Sequence, residues 1–348
     1  MIPIKKLNEF IIELTRKAGL PEEQAGLLAD TLIDADLKGI DTHGLLRLPI
    51  YVKRMETGVI NVNEPIRLVK EKGVIQLLDA RNVLGQVACV RGMELAISKA
   101  EQFGLGASGI FNSNHCGALG YYTELAAEKK MIGLSTTNVV PLMAPIGGKE
   151  KVVGNNPLAI SVPRTQGPPV TYDSATSTVS YGKVLTYLRR GEEIPLGWAL
   201  DDKGLETDNP EEVISKRGSL TPFAAHKGYG LAFILEILAG VLTGAGFGRQ
   251  LRSLYDADHF SGIGQFFLAI NVEYFMDTDL FFGRLEEWIE QVKGSAPVRE
   301  TKEILIPGEI SQRNKQKNLQ TGITYDEALI NELNLLAHRY GVSLLRQD

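Results

Sequence analysis

Residues 74–130 read VIQLLDARNVLGQVACVRGMELAISKAEQFGLGASGIFNSNHCGALGYYTELAAEKK, and the order of elements in this stretch decides the fold. VIQLL predicts a strand, Val87 to Phe103 a helix, GIFN a second strand and Tyr121 to Lys130 a second helix. Further apolar runs at Ile132 to Thr136, Leu158 to Val162, Val170 to Tyr172, Phe266 to Ile270 and Glu303 to Ile306 predict more strands. Strands alternating with helices describe an α/β fold, mixed α+β, with a sizeable mixed sheet.

Towards the N-terminus the pattern becomes helical. Phe10, Ile11, Leu14 and Ala18 recur at helical spacing before Gly19, and Pro21 opens a second helix that Gly39 ends. Towards the other end, the polar run Glu309 to Asn318 reads as a solvated connection. Thr324 and Glu327 then form a capping-box pattern ahead of a last helix through Leu329, Leu333, Leu336 and Tyr340.

With 348 residues, 44% of them apolar, the chain is long enough for about two folded domains. A net charge of -5 leaves no basic excess to displace counterions, so neither a nucleic-acid backbone nor an anionic membrane is expected as a partner. Met1 to Phe10 lacks the apolar core of a secretory signal, which points to the cytoplasm. Cys89 and Cys116 have no metal-ligand spacing and read as reduced thiols. The apolar run Leu231 to Leu242 carries Glu236 at its centre, which favours a buried helix of a soluble protein over a membrane span.

GLGASG, from Gly104 to Gly109, matches a dinucleotide-binding G-x-G-x-x-G. That motif works between a strand and a helix, where the pyrophosphate meets the helix N-terminus. Here it follows a helix and precedes a strand, so it reads as a helix C-cap and turn.

Four features, one of them a set of three loops, carry residues suited to chemistry. Asp41-Thr42-His43-Gly44 is followed by Arg47 and Tyr51. Oxidising a 2-hydroxy acid needs a base for the hydroxyl proton and a cation for the carboxylate, and His43 with Arg47 would supply both. If Thr42 caps a helix, the two share a face, although Pro49 would kink that helix. The same spacing equally describes a cap, a solvated histidine and a surface arginine. The polar junction Asn112 to Tyr122 includes His115 beside Cys116; neighbours in sequence rarely form a nucleophile pair, and a structural histidine is the plainer reading. The loops Asn138 to Gly148, Gly154 to Pro157 and Asp173 to Ser177 let backbone amides approach a ligand, as generic turns also would. His226-Lys227-Gly228 opens the apolar helix, which suits either an anion site or a Gly-rich turn.

Together these stretches resemble the malate/L-lactate dehydrogenase family that is unrelated to Rossmann-type enzymes. The resemblance runs through ADLKGIDTHGLLRLPIY, SNHCGALGYYTELA, APIGGKEKVVGNNPLAISVP, DSATS, PLGWALDDKG, HKGYGLAFILEILAGVLTGAGFG and PGE, in order along nearly the whole chain. It implies a helical domain over 1–72 joined by a C-terminal segment 310–348, and a mixed-sheet domain over 73–309 that binds substrate and cofactor. It further implies a non-Rossmann nicotinamide site, NAD slightly ahead of NADP, no metal, a small anionic substrate and a homodimer.

The resemblance makes His43 the acid/base, His115 the second active-site histidine and Asp173 the residue that orients the catalytic ring. Arg47 becomes the carboxylate ligand, with Thr42 and Tyr51 beside the substrate. Cofactor contacts carry over to Asn156, Pro157, Tyr172, Asp173, Ser174, Ala175, Thr176, His226, Lys227, Gly308 and Glu309. Thr42 replaces the family's commoner serine and keeps the hydroxyl. Asn155 stands where threonine is usual, a departure that bears on substrate fit. The rival within the family is a cyclic imino acid reductase. The rival outside it is a nucleotide-binding transferase or hydrolase, which would need a Walker-type lysine motif or an acidic metal cluster that the sequence lacks.

Overall fold

The computed structural model describes residues 1–299 and 303–346. Helices Ile4–Lys17 and Glu22–Leu37 pair at the N-terminus, and two short 3-10 turns, Asp41–His43 and Leu45–Arg47, lead into helix Leu48–Glu56. The chain returns to these helices at its far end. Ile2 bridges Ile323, and helix Glu327–Tyr340 buries Leu329, Ile330 and Leu333 in one core with Leu7, Leu14, Leu28 and Leu48. The cap of that last helix is Asp326, whose carboxylate accepts from the Leu329 N–H at 2.7 Å, and not Thr324 as the sequence pattern indicated.

A seven-stranded sheet holds the second core. Its order across the sheet is 67–72, 75–79, 105–113, 263–271, 131–137, 158–162, 170–174, and its one parallel pair, Ile75–Asp79 with Leu105–Ser113, is joined by helix Gly85–Phe103. That helix and Gly120–Glu128 cover one face, burying Met93, Ile97, Tyr122 and Phe267. Helix His226–Glu236 and the π-turn Ile237–Val241 pack on the sheet from the side of strands 131–137 and 263–271. The fold is thus mixed α/β, as the alternation predicted, and the strand order is far from a doubly wound parallel sheet.

Several expectations need correction. Residues 303–306 form no strand. Glu309–Thr321 is a helix and not a connection. It lacks any buried residue, so hydrophobic periodicity could not reveal it; Asn314 and Asn318 donate to the Lys38 and Leu37 carbonyls instead, and Lys315 pairs with Asp34 at 2.6 Å. Gly104 is indeed a left-handed cap at φ 81, but Gly106 and Gly109 lie within the strand and not in a turn. A Cβ at Gly106 would stand 2.0 Å from the Ala96 carbonyl oxygen, so the glycine lets helix and strand touch. The apolar helix is not fully buried either, since Phe233, Ile234, Val241 and Leu242 are each more than half exposed. A second, five-stranded sheet, with its own small core around Met143, Val184, Ala199 and Leu220, was not foreseen.

Candidate active site

The two 3-10 turns and the end of strand Leu105–Ser113 meet between the first and second cores. Thr42 is therefore not a helix cap, and Pro49 causes no kink because it occupies the first turn of Leu48–Glu56, where its missing N–H is harmless. Between the turns, a Cβ on Gly44 would lie 1.7 Å from Asp36 Oδ1. That absence lets the buried Asp36 carboxylate press against the turn, accepting from the Leu45 N–H and the Tyr325 hydroxyl, each at 2.8 Å.

The turns carry His43 to within 5.6 Å of His115, ring over ring. Thr42 Oγ1 is 2.9 Å from His43 Nδ1. On the other ring, Tyr51 Oη is 2.6 Å from His115 Nδ1, and the Gly117 N–H donates to the same nitrogen at 3.4 Å. An amide N–H can only donate, so His115 Nδ1 is an acceptor and the proton of the neutral ring sits on Nε2. Burial, and then the Arg47 charge, push His43 down to about 4. Burial with the charges of His43, Arg47 and Arg54 holds His115 well below its ordinary range. Both rings are neutral at pH 7.

Arg47 is clamped by its own turn, since Nε donates to the Thr42 carbonyl at 2.6 Å. Its Nη1 meets the Tyr255 hydroxyl at 2.5 Å. The buried Arg54, two turns further along the helix, ties the other parts together. Its guanidinium reaches Asn114 Oδ1 at 3.0 Å, Ser261 Oγ at 2.8 Å and the carbonyls of Leu254, Asp256 and His259. Asn114 in turn donates to the Asn82 and Val83 carbonyls, holding the residue before His115. Sequence reasoning missed Asp36, Arg54 and Tyr255. An arginine amid Val52 and Met55, on the buried side of a helix, was the one available signal.

The proposed cofactor residues fall into two groups. Asp173 Oδ2 accepts from the Gly120 N–H at 2.7 Å, and among the described residues no hydrogen bond joins it to either histidine, so it does not orient a ring. Its residue surface is open, yet the surrounding protein pushes the carboxyl up to about 6 against the pull of Gly120 and Lys38. Tyr172 is exposed beside it, and Gly308 packs on the same strand, where a Cβ would stand 3.1 Å from the Thr171 carbonyl oxygen. Glu309 begins the helix after it, its Oε2 accepting from the Ile306 N–H.

The second group surrounds the start of helix His226–Glu236. Thr176 and Asn155 are joined through backbone at 3.2 Å, and the Phe223 N–H donates to the Thr176 carbonyl. Ser174 and Ala175 lead into this turn, and His226 and Lys227 are exposed at its mouth. Pro157 contributes its carbonyl, which accepts from Thr136 Oγ1. Asn156 is fully buried with its amide bonded to Val139, Ala232 and Glu236, so its side chain braces loops and does not face a ligand. The same contact explains a carboxylate in an apolar helix: Glu236 also accepts from Asn138 and from the Gly248 N–H.

A family model described as malate/L-lactate dehydrogenase matches residues 2–334. The chain belongs to that malate/L-lactate dehydrogenase family. It is 41% identical to a malate dehydrogenase of Pyrococcus abyssi, over 98% of this chain and 95% of that one. It is 40% identical to the L-sulfolactate dehydrogenase of Methanocaldococcus jannaschii, over 98% of both. The crystal structure of malate dehydrogenase from Entamoeba histolytica superposes with a TM-score of 0.94 at 32% identity, covering 99% of this chain and 98% of that one. A member of the malate/L-lactate dehydrogenase family is an enzyme, a dehydrogenase of the 2-hydroxy-acid class.

The family implies a nicotinamide cofactor, and the residues present fit one. Thr176 Oγ1 is buried without a partner among the described residues, beside a helix N-terminus carrying an exposed lysine. A cleft of about 650 Å³ opens next to it, lined by Gly147, Gly148, Thr178, Pro222 and Ala225 among others. Among the described residues no cluster of three or more His, Cys, Asp or Glu could hold a metal, and no helix is long and apolar enough to cross a membrane.

Proposed function

We propose that the chain interconverts a small 2-hydroxy acid of the malate, lactate or sulfolactate type and its 2-oxo acid, using NAD ahead of NADP and no metal. The observation that carries this reading is the stacking of His43 on His115 beside the clamped guanidinium of Arg47. When bound, the nicotinamide supplies or takes up the hydride. The chain's own residues handle the proton and the charge.

Arg47 receives the substrate carboxylate, with one edge already held by Thr42 so that little entropy is lost on binding. His43 accepts the hydroxyl proton in oxidation and returns it in reduction, Thr42 holding its Nδ1. His115 works differently: its Nε2 already bears the proton, so it donates a hydrogen bond to the substrate oxygen and polarises it. Tyr51 orients that ring. Burial is the larger cause of the lowered His43 pKa and the Arg47 charge the lesser; the arriving carboxylate offsets that lesser cause and so acts towards the imidazolium that reduction needs.

Tyr172 to Thr176, Pro157, His226, Lys227, Gly308 and Glu309 line the cofactor side in this reading, with Asp173 a wall residue. The exposed apolar face of Phe233, Ile234, Val241 and Leu242 supports a homodimer. The test is a panel of 2-oxo acids and cyclic imines with NADH and NADPH, read at the nicotinamide absorbance, with oxaloacetate expected to lead. Activity should persist in EDTA. Folded protein that turns over nothing in the panel sinks the reading; turnover of imines alone moves it to the reductase.

A further inference from the structure

Tyr255 stands over the guanidinium of Arg47, its ring centroid 5.7 Å from Cζ and its hydroxyl oxygen accepting from Nη1 at 2.5 Å. Because that oxygen is the acceptor, the phenol proton is directed away from Arg47. Hydrogen bonding to a cation also polarises the O–H and makes it a stronger donor. The guanidinium and the phenol therefore form two donors side by side with a net positive charge.

Tyr255 is 61% exposed, and an exposed tyrosine on a loop would ordinarily mean little. Its backbone is different. Arg54, fully buried, grips the Leu254 and Asp256 carbonyls on either side of it, then the His259 carbonyl and Ser261 Oγ. Through Asn114 the same guanidinium braces the residue before His115. The loop that carries Tyr255 is thus anchored to the helix that directly follows Arg47 and to the segment that carries His115. Burial, and then the field of Tyr255, raise the phenol pKa of Tyr181, the first residue of helix Tyr181–Arg190. Gly182 beside it leaves room for Thr42, which a Cβ would meet at 2.6 Å.

We propose that Tyr255 is a substrate-binding residue, whose hydroxyl donates the second hydrogen bond to the carboxylate seated on Arg47. This rests on the reading of Arg47 given above. A donor fixed to one oxygen while Arg47 holds the other sets the plane of the carboxylate and so the face of the adjoining carbonyl that meets the cofactor. It acts on the group common to all 2-oxo acids, so it serves mono- and dicarboxylates alike.

Tyr255→Phe keeps the ring over Arg47 and removes only the donor. Two measurements are made on wild type and variant: KM for pyruvate and oxaloacetate, and calorimetric affinity of oxamate, a non-reacting 2-oxo acid analogue, for the protein–NADH complex. The expected result is about a tenfold rise in both KM values and in the oxamate Kd, equivalent to about 1.4 kcal/mol, with the Kd of NADH unchanged. Unchanged oxamate affinity overturns the proposal, and so does a loss confined to oxaloacetate, which would put the hydroxyl on the remote carboxylate. Wild-type protein that binds NADH but neither oxamate nor any 2-oxo acid overturns the reading of Arg47 itself, and Tyr255 falls with it. Melting curves of Tyr255→Phe separate these results from misfolding.

Discussion

His43 and His115 face each other with different hydrogen-bond commitments, and their loss should separate them. If His43 is the acid/base, His43→Ala should cut turnover by roughly 10²–10⁴-fold with cofactor binding intact, because proton transfer is lost. His115→Ala should cost less and keep the pH limb of the remaining base. A pH limb surviving in His43→Ala and vanishing in His115→Ala would exchange the two roles. With His43 held at about 4, its accepting form persists well into acid, so kcat/KM for 2-hydroxy acid oxidation should fall only as pH approaches that value. A limb near the ordinary histidine value of 6.5 in that profile would contradict it. Arg47→Ala, by contrast, should appear chiefly in KM. Asp36 gives a stability signal of definite sign. Burial outweighs its two hydrogen-bond donors and raises the carboxyl from 3.8 to about 7, so the folded protein retains a proton that the unfolded chain releases. Its contribution is greatest at low pH and declines as pH rises through that window. Asp36→Asn should flatten the dependence of Tm on pH there; an unchanged slope would refute the assignment.

Helix Gly85–Phe103 and strand Leu105–Ser113 meet at Gly106, where a methyl group has no room. Gly106→Ala should destabilise the protein by about 1–3 kcal/mol through overpacking, while cofactor affinity of the folded fraction changes less than about tenfold. Urea unfolding and cofactor titration check the two halves separately. The elements of 74–130 were legible because apolar runs, Gly104 and the helical spacing all agree about one face. Strand Leu158–Val162 was read to the residue for the same reason. The short strands of the second sheet were not: Val153–Gly154, Ala199–Leu200 and Ser219–Leu220 are too brief to show alternation. Helix Glu309–Thr321 was missed because side-chain amides and Lys315 attach it, and polar attachment leaves no period. In the site, His43, Arg47, Tyr51 and His115 could be singled out from residue type and resemblance. Their stacking could not, nor could Arg54 and Tyr255, whose partners lie some two hundred positions apart.

Across the whole molecule, the site lies where the helical core meets the end of the parallel strand pair, and the apolar face of Phe233, Ile234, Val241 and Leu242 lies on a different element. If that face joins two copies, Val241→Glu together with Phe233→Glu should give a monomer in sedimentation velocity; a doubly substituted protein that still sediments as a dimer assigns the contact elsewhere. The closure of the first core has its own consequence. Ile2 pairs with Ile323, and the hydroxyl of Tyr325 completes the shell around Asp36 beneath the His43 turn. On a ribosome, the N-terminal helices emerge long before the segment that seals them, so the His43 turn stays unlatched until that segment emerges. Contacts of such sequence separation also slow folding. Competence to turn over substrate should therefore arise late, with the docking of the tail, and a nascent chain stalled ahead of residue 323 should hold the sheet yet remain inert.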